Sequence, residues 1–494
     1  MPALLGASCT YLLVRKIGRE KSRALDIVSI GTGLSLGYVA VARMIWALDQ
    51  ANATVFSWRN LISLLLMTLV SVISAVYYHF RFGKHSDPFN GLAEARWTSG
   101  FTIGCLVLFA FSLFQVIQSP VSSWDAVDWW VASADRFITV DTQLLPRFIW
   151  NEFNFLAWDP LPYYDWASQE PVAFGAPYPY DHYHPITVPL IAAFSAIWAY
   201  EFNVINLNML PWIYCWMSII VTIYGLTRVF EVNQIAALLS ICLISSVPLI
   251  ENHLGLVGYA DIWLVAVALT SLSLISIGRL KADPGLILIG LMAGLVCVLI
   301  KNSGFIFFLT IFLSTALSWL TQLRAKIVAG GFFIFFSATL ISIYIGIDFE
   351  LAGTRWAIVI NDNISIHLAG RNFVAELSSL SQVAQNLYRA LLVNASYSTF
   401  GIISILMFFF WMQNVLRKNE ARRFAGASIF FYCSALLFLF LLVSQLIWPL
   451  ALEVANVNSD TANSRYHLPV YIFVLVFGAL TLFGRSETSA EQVD

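Results

Sequence analysis

Apolar residues run along this chain in blocks too long for the core of a soluble domain. Runs that reach or approach bilayer length fall at 24–48, 54–80, 98–118, 184–200, 204–229, 234–250, 257–278, 285–300, 303–320, 326–347, 398–416, 425–448 and 467–484. They predict an all-α polytopic membrane protein of about 13 transmembrane helices. A further run, "MPALLGASCTYLLV", is about 14 residues against the ~20 needed to span. Its basic cluster "RKIGREKSR" follows the apolar stretch instead of preceding it, so it reads as a short first membrane segment and not as a signal peptide.

The connections divide by charge. Those at 15–23, 81–96, 279–283, 321–326 and 417–423 carry Lys and Arg and are expected on the cytoplasmic side. Loops 119–183, 348–397 and 449–466 then fall outside. One conflict remains: the runs 184–200 and 204–229 cannot both span if Arg228 is inside and His184 outside. One of the two is expected to be re-entrant, interfacial or miscounted as a span.

Composition agrees with this picture. Charged residues make up 11% of the chain and apolar residues 59%, with mean hydropathy +0.76, against roughly 25% charged in an average soluble protein. The six cysteines lie singly in apolar runs with no CxxC spacing. No stretch reads as a nucleic-acid-binding patch, a soluble domain or a repeat.

Chemistry concentrates in the first large outside loop. Residues 119–183 hold nine acids and two arginines, with seven of the sixteen prolines and six of the seventeen tryptophans. Within "SSWDAVDWWVASADRF", Asp125, Asp128 and Asp135 share a narrow helical arc, and Trp124, Val127, Val131, Ala134 and Ile138 cover the opposite side. The segment is expected to form an amphipathic helix on the membrane surface, where Asp125 is placed to act as a general base. The alternative, a merely solvated acidic face, stays open.

Isolated ionisable residues mark other outer helix ends. Asp261 in "GYAD" sits at the edge of a span, where an ionisable group is costly enough to suggest a role. Lys301 lies at a hairpin turn expected outside, against the positive-inside rule, and Arg465 in "SRYHLP" stands at the mouth of the last span. Both suit contact with a phosphate, or anchorage at lipid headgroups. Glu251 and His253 in "ENH" are candidate ligands for a divalent cation. In "DHYHP", His184 and its neighbour Tyr183 are candidate substrate contacts. Arg355 and Arg371 of the second outside loop are weaker candidates for a phosphate.

Five stretches in order, "SSWDAVDWWVASADRF", "YHPITVPLIAAF", "GLVGYADIWLVAVAL", "GLMAGLVCVLIKNSGFIFF" and "SRYHLPVYIF", resemble the GT-C superfamily of integral-membrane glycosyltransferases. The nearest group is the bacterial dolichyl-phosphate-mannose-transferase-like one. The resemblance runs from about 98 to 484, and the expected organisation is N-terminal membrane helices over 1–97, a GT-C-like catalytic module over 98–350 and a second outside loop with C-terminal helices over 351–494. It implies an inverting transfer of a sugar from a polyprenyl-phosphate donor to a lipid, glycan or protein acceptor, outside a bacterial cytoplasmic membrane. Asp125 matches the catalytic carboxylate, with Asp128 in a supporting place whose spacing departs from the family's usual pair. "IKNSG" departs from the family's "TKNEG" by replacing the acid with Ser303. A transporter or flippase of lipid-linked saccharide, and an O-antigen polymerase or ligase, are the competing readings.

Overall fold

The computed structural model describes residues 1–18, 22–52, 58–82, 187–202, 210–245, 260–301, 303–319, 398–416, 422–452 and 468–483. It also describes four strands between 347 and 376 and isolated helical positions between 100 and 110. The expectations for Asp125, Asp128, Tyr183, His184, Glu251, His253 and Arg465 lie outside the described residues. By contacts the chain divides into two units, one of 1–152, 178–312 and 476–494, the other of 153–177 and 313–475.

The first unit is a helix bundle built around α2 (Arg23–Asn52). Three helices run antiparallel to it: α1 (Pro2–Ile17), α5 (Leu210–Val229) and α7 (Asp261–Lys281). Close backbone approach explains how they seat. A Cβ on Gly6 of α1 would fall 2.1 Å from the Gly33 carbonyl oxygen and 2.4 Å from Gly37 Cα. Only small residues let two helices meet at this distance, the usual device where lipid supplies no hydrophobic drive between helices. On the α5 side, Ser218 Oγ donates to the Gly31 carbonyl at 2.6 Å and lies 3.0 Å from Ser35 Oγ. These bonds satisfy hydroxyls that lipid could not.

The same contacts fix the levels of the helices. Along α2, Asp26 meets Arg15, Gly31 meets Ser218, and Tyr38 meets Tyr214 and Trp263. Arg15, Arg23, Arg228, Arg279 and Lys281 therefore share one end of the bundle, the basic end, and Tyr38, Trp212, Trp263 and Asp261 share the far end. Arg15 is buried, its Nε donating to Asp26 Oδ1 at 2.5 Å and its Nη2 to Asp26 Oδ2. The short first run is thus an integral helix of the bundle, 16 residues long.

Helix α3 (Trp58–Phe82) lies beside α1, joined by Ser8 to Ser71 at 2.6 Å, while Leu65, Leu66, Leu69, Val70 and Ile73 stay exposed. Such a face suits lipid. A tight hairpin turns α7 back into α8 (Pro284–Leu295) at the basic end. Ala282 takes the left-handed conformation that closes α7, at φ 53°, and Asp283 caps α8 by accepting from Gly285 N at 2.9 Å with Pro284 in the first turn.

Among the described residues four helical segments are long and apolar enough to cross a membrane: Arg23–Met44, Ile62–Arg81, Leu210–Val229 and Asp261–Lys281. The chain is a membrane protein by this measure. The conflict between the runs 184–200 and 204–229 resolves in favour of the second. Helix α5 crosses from the far end to the basic end, whereas α4 (Thr187–Phe202) packs its middle residue Phe194 against Val41 and Leu64 in the far-end layer. Its ends lie only about 12 Å from Phe194 along the axis, so α4 stops short of the basic end. Helix α6 (Gln234–Ser245) begins at the basic end, and α9 (Gly304–Trp319) follows the hairpin.

The second unit departs from the all-α expectation. Strands β1 (Ile347–Leu351), β2 (Thr354–Ile360), β3 (Asn363–Leu368) and β4 (Arg371–Glu376) form an antiparallel meander in the order β1-β2-β3-β4. The physical reason is period-2 alternation of apolar and polar residues within each strand, as in "IDFEL" and "NISIHL". Strand β4 packs on α11 (Arg422–Leu452). Helix α10 (Ser398–Leu416) stacks Trp411 on Phe431 of α11 at 4.6 Å, and Ser434 of α11 donates to Val470 of α12 (Leu468–Leu482) at 2.9 Å.

Candidate functional site

Two residues singled out separately in the sequence meet in the fold. Asp261 is the first residue of α7, where the helix N-terminus favours a carboxylate. Lys301 stands 40 positions on, where the returning strand of the hairpin breaks. Helix α8 tightens into a 3₁₀ turn at Val296–Leu299, turns at Ile300, and restarts as α9 from Gly304. Both arms of the hairpin are of nearly equal length, so their far ends coincide. Lys301 Nζ donates to Asp261 Oδ1 at 2.8 Å.

The break is shaped by backbone contact. Gly304 N donates to the Lys301 carbonyl at 2.7 Å, and a Cβ at residue 304 would fall 1.8 Å from the Cys297 carbonyl oxygen. No other residue fits at 304 without moving the turn. Glycine in "IKNSG" therefore sets where the lysine stands.

Burial makes the ion pair costly to form and costly to break. The side chains of Lys301 and Asp261 are 10% and 9% exposed. Above them α7 carries Trp263, fully buried, edge-on to Trp212 at 5.9 Å and to Tyr38 at 5.9 Å. Aromatic walls of this kind exclude water and raise the strength of each charge–charge contact.

Arg43 joins the same end of the bundle, and sequence inspection did not single it out. From α2 it makes a long contact, Nη2 to the Leu299 carbonyl at 3.5 Å. That carbonyl belongs to the closing 3₁₀ turn, whose last acceptors have no partner within the helix. The signal was present, since an arginine inside an apolar run is expensive. It was hidden because "VARMIW" lies within a run otherwise uniformly apolar.

The structure thus places Asp261 and Lys301 together and adds Arg43. It corrects the view of Lys301 as a cation standing alone at an outer helix end, because its ammonium is already engaged by a carboxylate. The register of the sheet puts Arg355 and Arg371 on opposite faces, so the sheet does not present both to one phosphate. Among the described residues no group of three His, Cys, Asp or Glu is placed to hold a metal ion. Compared with known protein families, curated proteins and solved structures, the chain matches none.

Proposed function

We propose that this chain is a membrane glycosyltransferase of the GT-C type, moving a sugar from a polyprenyl-phosphate donor to a lipid, glycan or protein acceptor on the extracytoplasmic face. It is read as having about 13 spans, in a bacterial cytoplasmic membrane. Asp125 is the general base of an inverting displacement, with Asp128 assisting and a divalent cation as an optional participant. The observation that carries this reading is the buried Asp261–Lys301 pair in a helix break, with Arg43 beside it. The cationic end opposite is cytoplasmic by the positive-inside rule. Helix α7 is 21 residues long, so the pair lies about 30 Å from Lys281, one hydrocarbon thickness away. Two cations and one carboxylate at one end of the bundle suit a phosphate that arrives with the donor and leaves as product.

One feature favours a second reading. A helix broken beside an ionisable residue is also the form of a transporter site. A flippase places that site near the bilayer midplane, whereas this break stands at the end of the bundle. Single-turnover transfer from radiolabelled polyprenyl-phosphate sugars in reconstituted vesicles separates the two. Wild type is expected to transfer sugar and Asp125→Asn to lose transfer while keeping donor binding. Carrier movement across the bilayer without transfer would sink the transferase and favour the flippase.

A further inference from the structure

The Asp261–Lys301 pair is assembled where an anion is favoured several times over. Asp261 opens α7, and Ala260, at the N-cap, gives the first turn no side-chain cap. The first backbone N–H groups of a helix lack partners within the helix and carry its positive dipole end. Lys301 stands just ahead of a second helix start. Gly304 N donates to the Lys301 carbonyl, and Phe307 N donates to the Ser303 carbonyl at 3.2 Å as α9 begins. Arg43 reaches the same break through the Leu299 carbonyl. Among the described side chains, two helix starts and two cations share this break with one carboxylate. A helix start backed by a cation is a recurrent seat for phosphate.

We propose that Asp261 is a tethered competitor for a terminal phosphate: its carboxylate holds the Lys301 ammonium until a phosphate monoester displaces it, and its return expels that phosphate. The inference rests on the transferase reading for the identity of the ligand, the polyprenyl monophosphate left when the sugar departs. A donor in which phosphate links lipid to sugar is a diester with a single negative charge. The monoester product carries about 1.5–2 at neutral pH. Cations that hold the donor therefore hold the product more tightly, and turnover needs a group that loosens it. A carboxylate on the same chain competes at an effective concentration in the millimolar range or above.

The geometry suits exchange. Lys301 Nζ bonds Asp261 through one oxygen, Oδ1, from a flexible stem whose three donors rotate. Lys301 lies in the turn between the 3₁₀ segment and α9, so its stem swings without unwinding a helix. Both side chains are about nine-tenths buried, so a phosphate must part the pair to reach the ammonium. Binding is then weakened by the fraction of molecules in which the pair is open. A minor state of this kind holds at most about 10% of the population, which lowers affinity at least about tenfold.

The test measures binding to the full chain in detergent micelles. The probes are farnesyl monophosphate, phosphatidic acid and inorganic phosphate, with farnesol as the uncharged control. Asp261→Asn keeps the side-chain volume and an oxygen that accepts from Lys301. It is expected to bind farnesyl monophosphate at least about tenfold more tightly than wild type, with farnesol unchanged, whereas Lys301→Met binds it at least about tenfold more weakly. Unchanged or weaker binding by Asp261→Asn would make the carboxylate a fixed part of the scaffold and overturn the proposal. Tightening confined to phosphatidic acid or to inorganic phosphate would overturn the polyprenyl source. A second measurement needs no variant to fold. Saturating wild type with farnesyl monophosphate is expected to shift a carboxylate stretch in the infrared difference spectrum, as Asp261 loses its ammonium. A difference spectrum without a carboxylate band would sink the exchange. Tightening in Asp261→Asn with no sugar transfer by wild type would sink the transferase and leave the exchange standing, and transfer without tightening would sink the exchange alone.

Discussion

Removing either member of the Asp261–Lys301 pair should cost far more than removing both. Nζ and Oδ1 are 2.8 Å apart with side chains about nine-tenths buried, so Lys301→Met leaves a carboxylate without its ammonium in low dielectric, and Asp261→Leu the reverse. Loss of one partner of a buried pair costs about 3–5 kcal/mol, whereas exchange of both for apolar residues of similar volume is close to neutral. Asp261 also loses its favourable place at the α7 N-terminus, worth about 0.3–1 kcal/mol. Each single variant is therefore expected to lose about 3–5 kcal/mol and the double variant no more than about 2 kcal/mol, a coupling of at least about 4 kcal/mol. Denaturant titration in mild detergent, followed by a thiol-reactive fluorophore, reads the right region. Cys297 is buried four residues before Lys301, and Cys215 is buried and bonded to the Ile262 carbonyl. Single-variant losses that simply add in the double variant would refute the pair as an energetic unit.

Other expectations follow from backbone contacts. Gly6→Ala should separate α1 from α2, because its Cβ meets Gly33 and Gly37 backbone at 2.1–2.4 Å. A loss of about 1–3 kcal/mol or more is expected in the same titration. Gly104→Ala is its control: nothing lies within 4 Å of that Cβ, and helix propensity predicts a gain of up to about 1 kcal/mol. Ala282→Gly should stabilise by about 1 kcal/mol, since Ala282 holds φ 53° where glycine carries no strain.

The helices were legible because each is an apolar run bounded by charge, a signal that averaging over a window strengthens. The sheet was missed for the same reason. "IDFEL", "TRWAIVI", "NISIHL" and "RNFVAE" alternate with period two, and averaging cancels alternation. Asp261 and Lys301 were each visible as an ionisable residue at a span edge. Their pairing was not, because it depends on two hairpin arms of matched length, a three-dimensional fact spread over 40 positions. Arg15 was counted with a cytoplasmic basic cluster, although it is buried and engaged by Asp26. Counting cations by loop treats each as solvated and overlooks those that a neighbouring helix neutralises.

Two buried ion pairs among the described residues differ in kind, and the difference bears on which of them acts. At the basic end the Arg15 guanidinium sets two nitrogens on the two oxygens of Asp26, a fork that fixes both partners and ties α1 to α2. At the far end a lysine, a compact charge with three rotatable donors, bonds one carboxylate oxygen at a helix break. The fork is built for permanence, and the lysine for exchanging one oxygen partner for another. Conservative swaps separate these roles. Arg15→Lys should lower stability by about 1–3 kcal/mol, through loss of the second charge-assisted bond, and leave single-turnover sugar transfer unchanged. Lys301→Arg keeps the charge opposite Asp261 but cannot reproduce the ammonium geometry beside Gly304, and transfer should fall at least tenfold while donor loading saturates as before. Equal loss of transfer in both swaps would mean that the pairs serve only to hold the bundle together.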